Sequence, residues 1–443
     1  MKMKSNVILR AVPAVLAGVI ALSGCGNSTS TSSESGENSS SKTVNLTMSA
    51  WGNPAELKIY QKGIDAYTKE HPNVKIRLIP VASDGYEQKL LTQLQGGNAP
   101  DVFYVGDATM SKLVQNGSLA DLSEFMKTND SYAKPDDYPD GLWGAAKDGD
   151  KIYGITMDCN PLVMYYNKKI FKDLGIKTPQ EYFDEGKWNW AAFDEVTKKL
   201  KDAGKQGYIG ETWTMDTWIW SNGGLSYDDQ GNYVMDRNPK AREAIKFVND
   251  LREKGQIKYA GSLPKGQGLD AMFMSNQVGI VAAGRWLTPM FSQMENLEFD
   301  YIYWPSNTNN KMEPVQVPIA FFAVNKKSKE QEEAMKFVTF YVSKEGQKLR
   351  LAGNSSAVPS VSGIDDIVTS DKTIEHPEYF LDAREKGYAN GSLKYFTGRI
   401  PGLSERVNDQ YDLLLLGKQD VETTIKNISQ ETNKLTKDYK MGN

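Results

Sequence analysis

Cysteine is nearly absent from this sequence, which has only Cys25 and Cys159. Histidine is equally scarce: His71 and His376 are the two, each followed by proline. A zinc site of the usual His/Cys composition is therefore not expected, nor is any cofactor. Excess positive charge is missing too, since the formal net charge is −4. That argues against nucleic acid as a partner, because its binding rests on clustered Lys and Arg. No apolar run reaches the roughly 20 residues that a membrane-spanning helix needs. The phosphate-cradling pattern GxxxxGK[ST] is absent, so the chain is not expected to hydrolyse nucleotides itself. What is abundant is aromatic surface, with nine Trp and 22 Tyr.

The N-terminus has its own logic. Lys2, Lys4 and Arg10 precede the short apolar run Ala11–Leu22, and no acid interrupts them. A basic segment and a short apolar core followed by small residues is the pattern of a secretory signal peptide. The stretch "LSGC", Leu22 to Cys25, resembles the lipobox of bacterial lipoproteins. That resemblance implies cleavage after residue 24, a lipid on Cys25, and a formal charge near −7 once the three basic residues leave. Cys159 would then be the only thiol, so no intrachain disulfide is expected; it reads as a small buried apolar residue. Gly26–Lys42 is rich in Ser, Thr, Gly and Asn and cannot offset its ordering entropy by burial. It reads as a flexible tether reaching about 20–25 Å.

Beyond the tether, apolar periodicity alternates between two and 3.6. "KTVNLTMSAWG" (Lys42–Gly52) reads as a strand, and "AELKIYQKGIDAYTKEHP" as a helix stopped before Pro72. "NVKIRLIPV" is a second strand, and Val102–Val105 a buried one after an intervening helix. Strand–helix alternation of this kind indicates an α/β protein with βαβ units. Ligands in such sheets bind beyond the C-terminal strand ends, which draws attention to Trp51, Asn53, Tyr104 and Asp107. Further on, Asn189 caps an amphipathic helix. "SYDDQGNYVMD" reads as a β-hairpin rather than a calcium loop, because the ligand spacing and terminal Glu of an EF-hand are missing.

Five segments, in order, carry a wider resemblance: "APDVFYVGDATMSKLVQNGSLADLSEF", "YGITMDCNPLVMYYNKKIFKDLGIKTP", "WIWSNGG", "DAMFMSNQVGIVAAGRWLTP" and "AVNKKSKEQEEAMKFVTFYVSKEGQ". Together they resemble the extracellular solute-binding proteins of ABC sugar importers, the group that includes maltose-binding protein. The resemblance covers nearly all of the chain after the tether. It implies a two-lobe periplasmic-binding-protein-like fold whose lobes close on a ligand about a hinge. The first lobe would comprise 43–158 plus 322–358, and the second 159–321 plus 359–443. Crossings are expected near Asp158–Pro161, Pro318–Phe322 and Ala357–Val361. The implied partners are a carbohydrate, the permease subunits of an ABC transporter, and the membrane through the lipid. The implied protein is a monomer at the cell surface, on the outer face of the cytoplasmic membrane.

Sugars offer apolar C–H faces and a rim of hydroxyls, so a site needs flat aromatics beside carboxylates, amides or guanidinium groups. The resemblance places Trp286, in "GRW", and Trp213 at the cleft, with Trp51 and Asn53 after the first strand. Asp107 would bind hydroxyls, although Asp also suits a helix N-cap. Asp158 and Asn160 flank the first crossing, and Arg285 would offer a forked donor pair to vicinal hydroxyls. Of Trp218 and Trp220, one is expected to face the core and one the cleft. Glu211 and Arg399 complete the set. Two competing readings remain open: a surface glycoside hydrolase, which would need an Asp/Glu pair about 5–10 Å apart, and the same scaffold holding a peptide, polyamine or metal chelate.

Overall fold

The computed structural model describes residues 42–437, apart from 229–230, 266, 309, 354–355, 373 and 391–395. The leader, Cys25 and the tether up to residue 41 lie outside the described residues. The strands in chain order are β1 (Val44–Trp51), β2 (Val74–Val81), β3 (Val102–Gly106), β4 (Lys147–Asp148), β5 (Lys151–Ile152) and β6 (Ile155–Cys159). Then follow β7 (Val163–Asn167), β8 (Gln206–Gly210), β9 (Ile257–Tyr259), β10 (Val278–Ala283), β11 (Phe299–Ile302) and β12 (Ile319–Val324).

Two five-stranded sheets organise the two lobes. The first has the order β2-β1-β3-β12-β6, parallel across β2, β1 and β3 and antiparallel at β12 and β6. The second has the order β11-β7-β10-β8-β9, with β10, β8 and β9 parallel and β7 antiparallel to both its neighbours. The central strands are apolar without interruption: Val102–Val105 and Val163–Tyr166 are buried throughout. That is the pattern of strands covered on both faces. Helices supply the cover. Pro54–Glu70 starts at Asn53, whose side chain accepts from the Ala55 and Glu56 amides while Glu56 accepts from the Asn53 amide. This reciprocal capping box fixes where β1 ends and the helix begins. The helix buries Ile59, Tyr60, Ile64 and Tyr67 and stops at His71. Asn189 caps Trp190–Asp202 as its sequence indicates, accepting from the Ala192 amide at 3.1 Å. The 226–236 segment is joined by an antiparallel bridge between Tyr227 and Tyr233.

The chain passes between the sheets three times, and the passages are bonded side by side. The Cys159 and Val358 backbones exchange hydrogen bonds of 3.0 and 2.9 Å. The Asn160 amide donates to Pro318 O and the Leu162 amide to Gln316 O, each at 3.0 Å. Three boundaries differ from the sequence reading. Cys159 and Ile319–Phe321, placed with the second lobe, pair within the first sheet. The late segment Phe396–Arg399 packs on the first-lobe helix Asp107–Gln115 rather than within the second lobe alone. The reason for the two strand boundaries is register. An apolar strand continues until its last ladder partner, and the sequence does not mark which partner that is.

Trp218, a candidate binding residue, belongs to the second-lobe core. It is 1% exposed and packs on Phe193, Trp304 and Phe247, with ring centroids 5.1, 4.9 and 5.8 Å away. Trp218→Ala is therefore expected to cost about 3–5 kcal/mol of stability. Thermal denaturation should show a melting temperature lower by roughly 5 °C. A melting temperature within a degree or two of the parent would contradict the core assignment.

Candidate functional site

A cavity of about 560 Å³ lies between the two sheets, over the crossing residues Pro318 and Ile319. From the first lobe it is lined by Trp51, Asn53, Glu56, Tyr60 and Tyr104. Asp158 and Asn160 enter from the first crossing. The second lobe contributes Trp213, Asp270, Trp286 and Met290. A smaller cavity of about 210 Å³ adjoins it, sharing Trp213, Pro318 and Ile319 and adding Asp107, Gln316 and Arg399. Trp213 thus stands where the two compartments meet.

The aromatic walls are positioned by strand ends. Trp51 closes β1 and is braced edge-on by Tyr86 and Tyr104, at centroid distances of 5.0 and 5.4 Å. Trp286 follows β10 through Gly284 and Arg285. A methyl group at Gly284 would sit 2.6 Å from Asn160 Cβ and collide with the Trp286 ring. Only glycine lets this turn approach the crossing so closely. Asn160 Oδ1 accepts from the Arg285 amide at 2.9 Å and ties the same turn to the hinge. Trp213 sits on the short 3-10 turn Thr212–Thr214, and its ring centroid lies 6.3 Å from that of Trp286 at 44°. Asn53 Nδ2 donates to Trp286 O at 3.2 Å, a hydrogen bond from one lobe to the other at the edge of the cavity.

The polar groups divide by their partners. Asp158 accepts from Arg350 Nη1 at 2.8 Å in an ion pair buried on both sides. Burial pushes the Asp158 carboxyl up and Arg350 pulls it back. Among the described residues Glu56 has no cationic partner. It accepts from the Asn53 amide at 2.8 Å and from Tyr60 OH at 3.4 Å. Desolvation pushes its carboxyl up to about 7, against the hydrogen bond from Asn53, with Asp158 adding to the rise. Asp107 opens the helix Asp107–Gln115 and accepts from the Ala108 amide at 2.8 Å; desolvation pushes it up to about 6.

Four candidates from the sequence do not line either cavity. Arg285 is fully buried and bonded to Asp371 at 2.9 Å, so its guanidinium serves the fold rather than a hydroxyl rim. Trp218 is core. Glu211 precedes the turn that carries Trp213, and its carbonyl accepts from the Thr214 amide. Its carboxyl is pushed up to about 7 by desolvation, with Asp412 and Asp270 adding to the rise. Trp220 is half-buried against the second-lobe core and lines neither cavity. Conversely, Glu56, Tyr60, Asp270 and Met290 line the larger cavity and were not candidates. Glu56 was readable: Asn53 followed three residues later by Glu is the capping-box spacing. Asp270 and Met290 carry no such local signal.

Away from the cleft, Asp300, Glu375 and His376 bring ligand-type atoms within 4.8 Å of one another. His376 Nδ1 lies 2.6 Å from Asp300 Oδ2, and Lys168 is paired with Glu375, so the groups already satisfy one another.

The Glu56 environment makes a prediction about pH. Its folded-state pKa of about 7 lies above the ordinary 4.5, so the folded protein holds this proton more tightly than the unfolded chain does. The linked stability is therefore lost as pH rises from about 4.5 through about 7. Glu56→Gln keeps a capping-box partner and removes the charge. Chemical denaturation across that range should show a flatter pH profile and a more stable unligated variant on the alkaline side. Parallel profiles for parent and variant would contradict the assignment.

Comparison with known proteins agrees with this geometry. A family of bacterial extracellular solute-binding proteins matches residues 51–348. A maltooligosaccharide ABC transporter solute-binding lipoprotein of Streptococcus pneumoniae is 26% identical over 391 residues, 83% of this chain and 85% of that protein. A lipoprotein of Streptomyces antibioticus is 28% identical over 158 residues, covering 36% of this chain and only 33% of its own length. Among solved structures, an ABC substrate-binding protein from Listeria monocytogenes in complex with cycloalternan superimposes with a TM-score of 0.76 at 22% identity, over 90% of this chain and 100% of that one. That last likeness establishes the fold, and the family match spans well over half of the sequence. The chain therefore belongs to the bacterial extracellular solute-binding proteins.

Proposed function

We propose that this protein captures a carbohydrate between its lobes and delivers it, chemically unchanged, to an ABC permease in the membrane. The observation that carries the reading is the trio Trp51, Trp213 and Trp286 around one cavity beside amide and carboxylate groups. Flat apolar faces flanked by short polar side chains match the two surfaces of a sugar ring. The second compartment beyond Trp213 extends the space past one ring, which favours an oligosaccharide. The S. pneumoniae relative is a maltooligosaccharide-binding lipoprotein by name, and the Listeria structure holds cycloalternan, which supports the same substrate class. The lobe composition follows the two sheets, and the three bonded crossings act as the hinge.

Absence of catalysis is part of the proposal. Membership of a solute-binding family supports it, and Asp158 is committed to Arg350. Anchoring is another part, motivated by "LSGC" and the tether. Two acyl chains give stable membrane attachment where one does not. A Cys25→Ser variant should leave the detergent phase on partitioning, and unchanged partitioning would sink the lipoprotein reading.

The direct test is calorimetry against a panel of oligosaccharides, with a reducing-end assay on the tightest ligand. Binding without new reducing ends supports capture. Steady turnover would establish the hydrolase instead. Trp286 gives the residue-level version. If a sugar covers roughly 80–100 Å² of its indole, Trp286→Ala loses about 2–2.5 kcal/mol of binding. Affinity then falls about 30–60-fold. Trp286→Phe keeps a flat face and should lose much less. The unligated melting temperature should hardly move in either variant. A collapsed melting temperature with normal binding by the remaining folded protein would assign Trp286 to the core.

A further inference from the structure

The larger cavity is one-sided in charge. Its walls carry Glu56, Asp158 and Asp270 and, among the described residues, no lysine, arginine or histidine. Arg350 neutralises Asp158 from behind. No cationic side chain among the described residues bonds to Glu56 or Asp270. Asp270 and Asp412 both lie close enough to Glu211 to raise its carboxyl, so the acidic character continues behind the second-lobe wall. The smaller compartment differs, because Arg399 stands in it with Asp107.

A neutral sugar would leave this arrangement unresolved. Hydroxyls can donate to Glu56 and Asp270 but bring them no counter-charge when the cleft closes, and Glu56 answers its desolvation only by holding its proton up to about 7. Burying an uncompensated charge is costly, and pairing it with an ammonium group offsets part of that penalty. Aromatic rings add to the attraction, since their faces draw cations most strongly when water is excluded. An anionic sugar would meet the opposite situation on every wall.

We propose that the carbohydrate this cleft accommodates carries a protonated amine, held by Glu56 and Asp270 among the rings of Trp51, Trp213 and Trp286. The inference rests on the carbohydrate reading and narrows it to amino sugars in the larger compartment. The raised proton affinity of Glu56 accords with it: the carboxylate lacks a cation that the ligand would bring.

Single rings test this without assuming a linkage. The purified protein is titrated near neutral pH, at constant ionic strength, with glucose, glucosamine, N-acetylglucosamine and glucuronate, and the thermal shift is read for each. Ligand stabilisation follows RT ln(1 + [L]/Kd), so shifts convert to relative affinities. A charge-assisted bond replacing a neutral one should make glucosamine about tenfold tighter than glucose. Glucuronate should be the weakest of the four. In Glu56→Gln and in Asp270→Asn the ratio of glucosamine to glucose affinity should fall toward one. Equal affinities for glucosamine and glucose, a preference for glucuronate, or no shift with glucosamine would overturn the inference. So would a ratio unchanged in both variants. If the oligosaccharide panel then yields a neutral ligand, carbohydrate capture stands and only the amine preference falls. Stabilisation by spermidine with no response to any sugar would remove both.

Discussion

The ion pair between Asp158 and Arg350 holds the place where everything else meets. Asp158 lies near the end of β6, the last strand before the first crossing, and Arg350 lies in the helix Lys344–Leu351 that leads to the third. Both charges are buried, at 2.8 Å, and the guanidinium also lies over the Tyr341 ring at 4.9 Å. Removing one partner of such a pair typically costs 3–5 kcal/mol, because the other is left charged and dry. The pair therefore fixes the first-lobe ends of two passages, and the backbone bonds among Cys159, Val358, Asn160 and Pro318 fix the rest. A hinge built this way is stiff against shear between the passages, and bending is left as its soft direction. The cavity sits directly on it.

Much of the site follows from that placement. Residues at the C-terminal end of β1 and on the turn after β10 come from different lobes, yet Asn53 reaches the Trp286 carbonyl across the gap. This bond exists only while the lobes are together, so it biases the closed arrangement by about 1 kcal/mol at most. That is too little to hold the cleft shut alone. A ligand touching Trp51 and Glu56 on one side and Trp213 and Asp270 on the other adds differential contacts for the closed state. Such differential contacts are the only way a ligand can shift that population.

How much of this was legible in the sequence depended on how local the determinant was. The Asn53–Glu56 box, the alternation of β1 and the unbroken apolar run of β3 are local, and the strands and helices follow from them. Trp51, Asn53, Trp213, Trp286, Asp158 and Asn160 line the larger cavity, and Asp107 and Arg399 the smaller. Arg285 and Trp218 defeated the reading for a physical reason. Neighbouring residues on a tight turn or a single helical turn point in opposite directions, and the sequence does not state which one faces inward. Arg285 turns to Asp371, 86 residues away, while Trp286 turns to the cleft. Asp270 was invisible because its role depends on a fold that brings the helix Leu269–Met274 beside Trp213. Arg350 was equally silent, since nothing near it in sequence announces a buried acid 192 residues earlier.

Closure of the lobes about the bonded crossings on a carbohydrate is read out by small-angle scattering of the purified protein, with and without saturating amounts of the tightest oligosaccharide. The ligand-bound protein is expected to have the smaller radius of gyration. Superimposable scattering curves at proven saturation would contradict a hinged clamp.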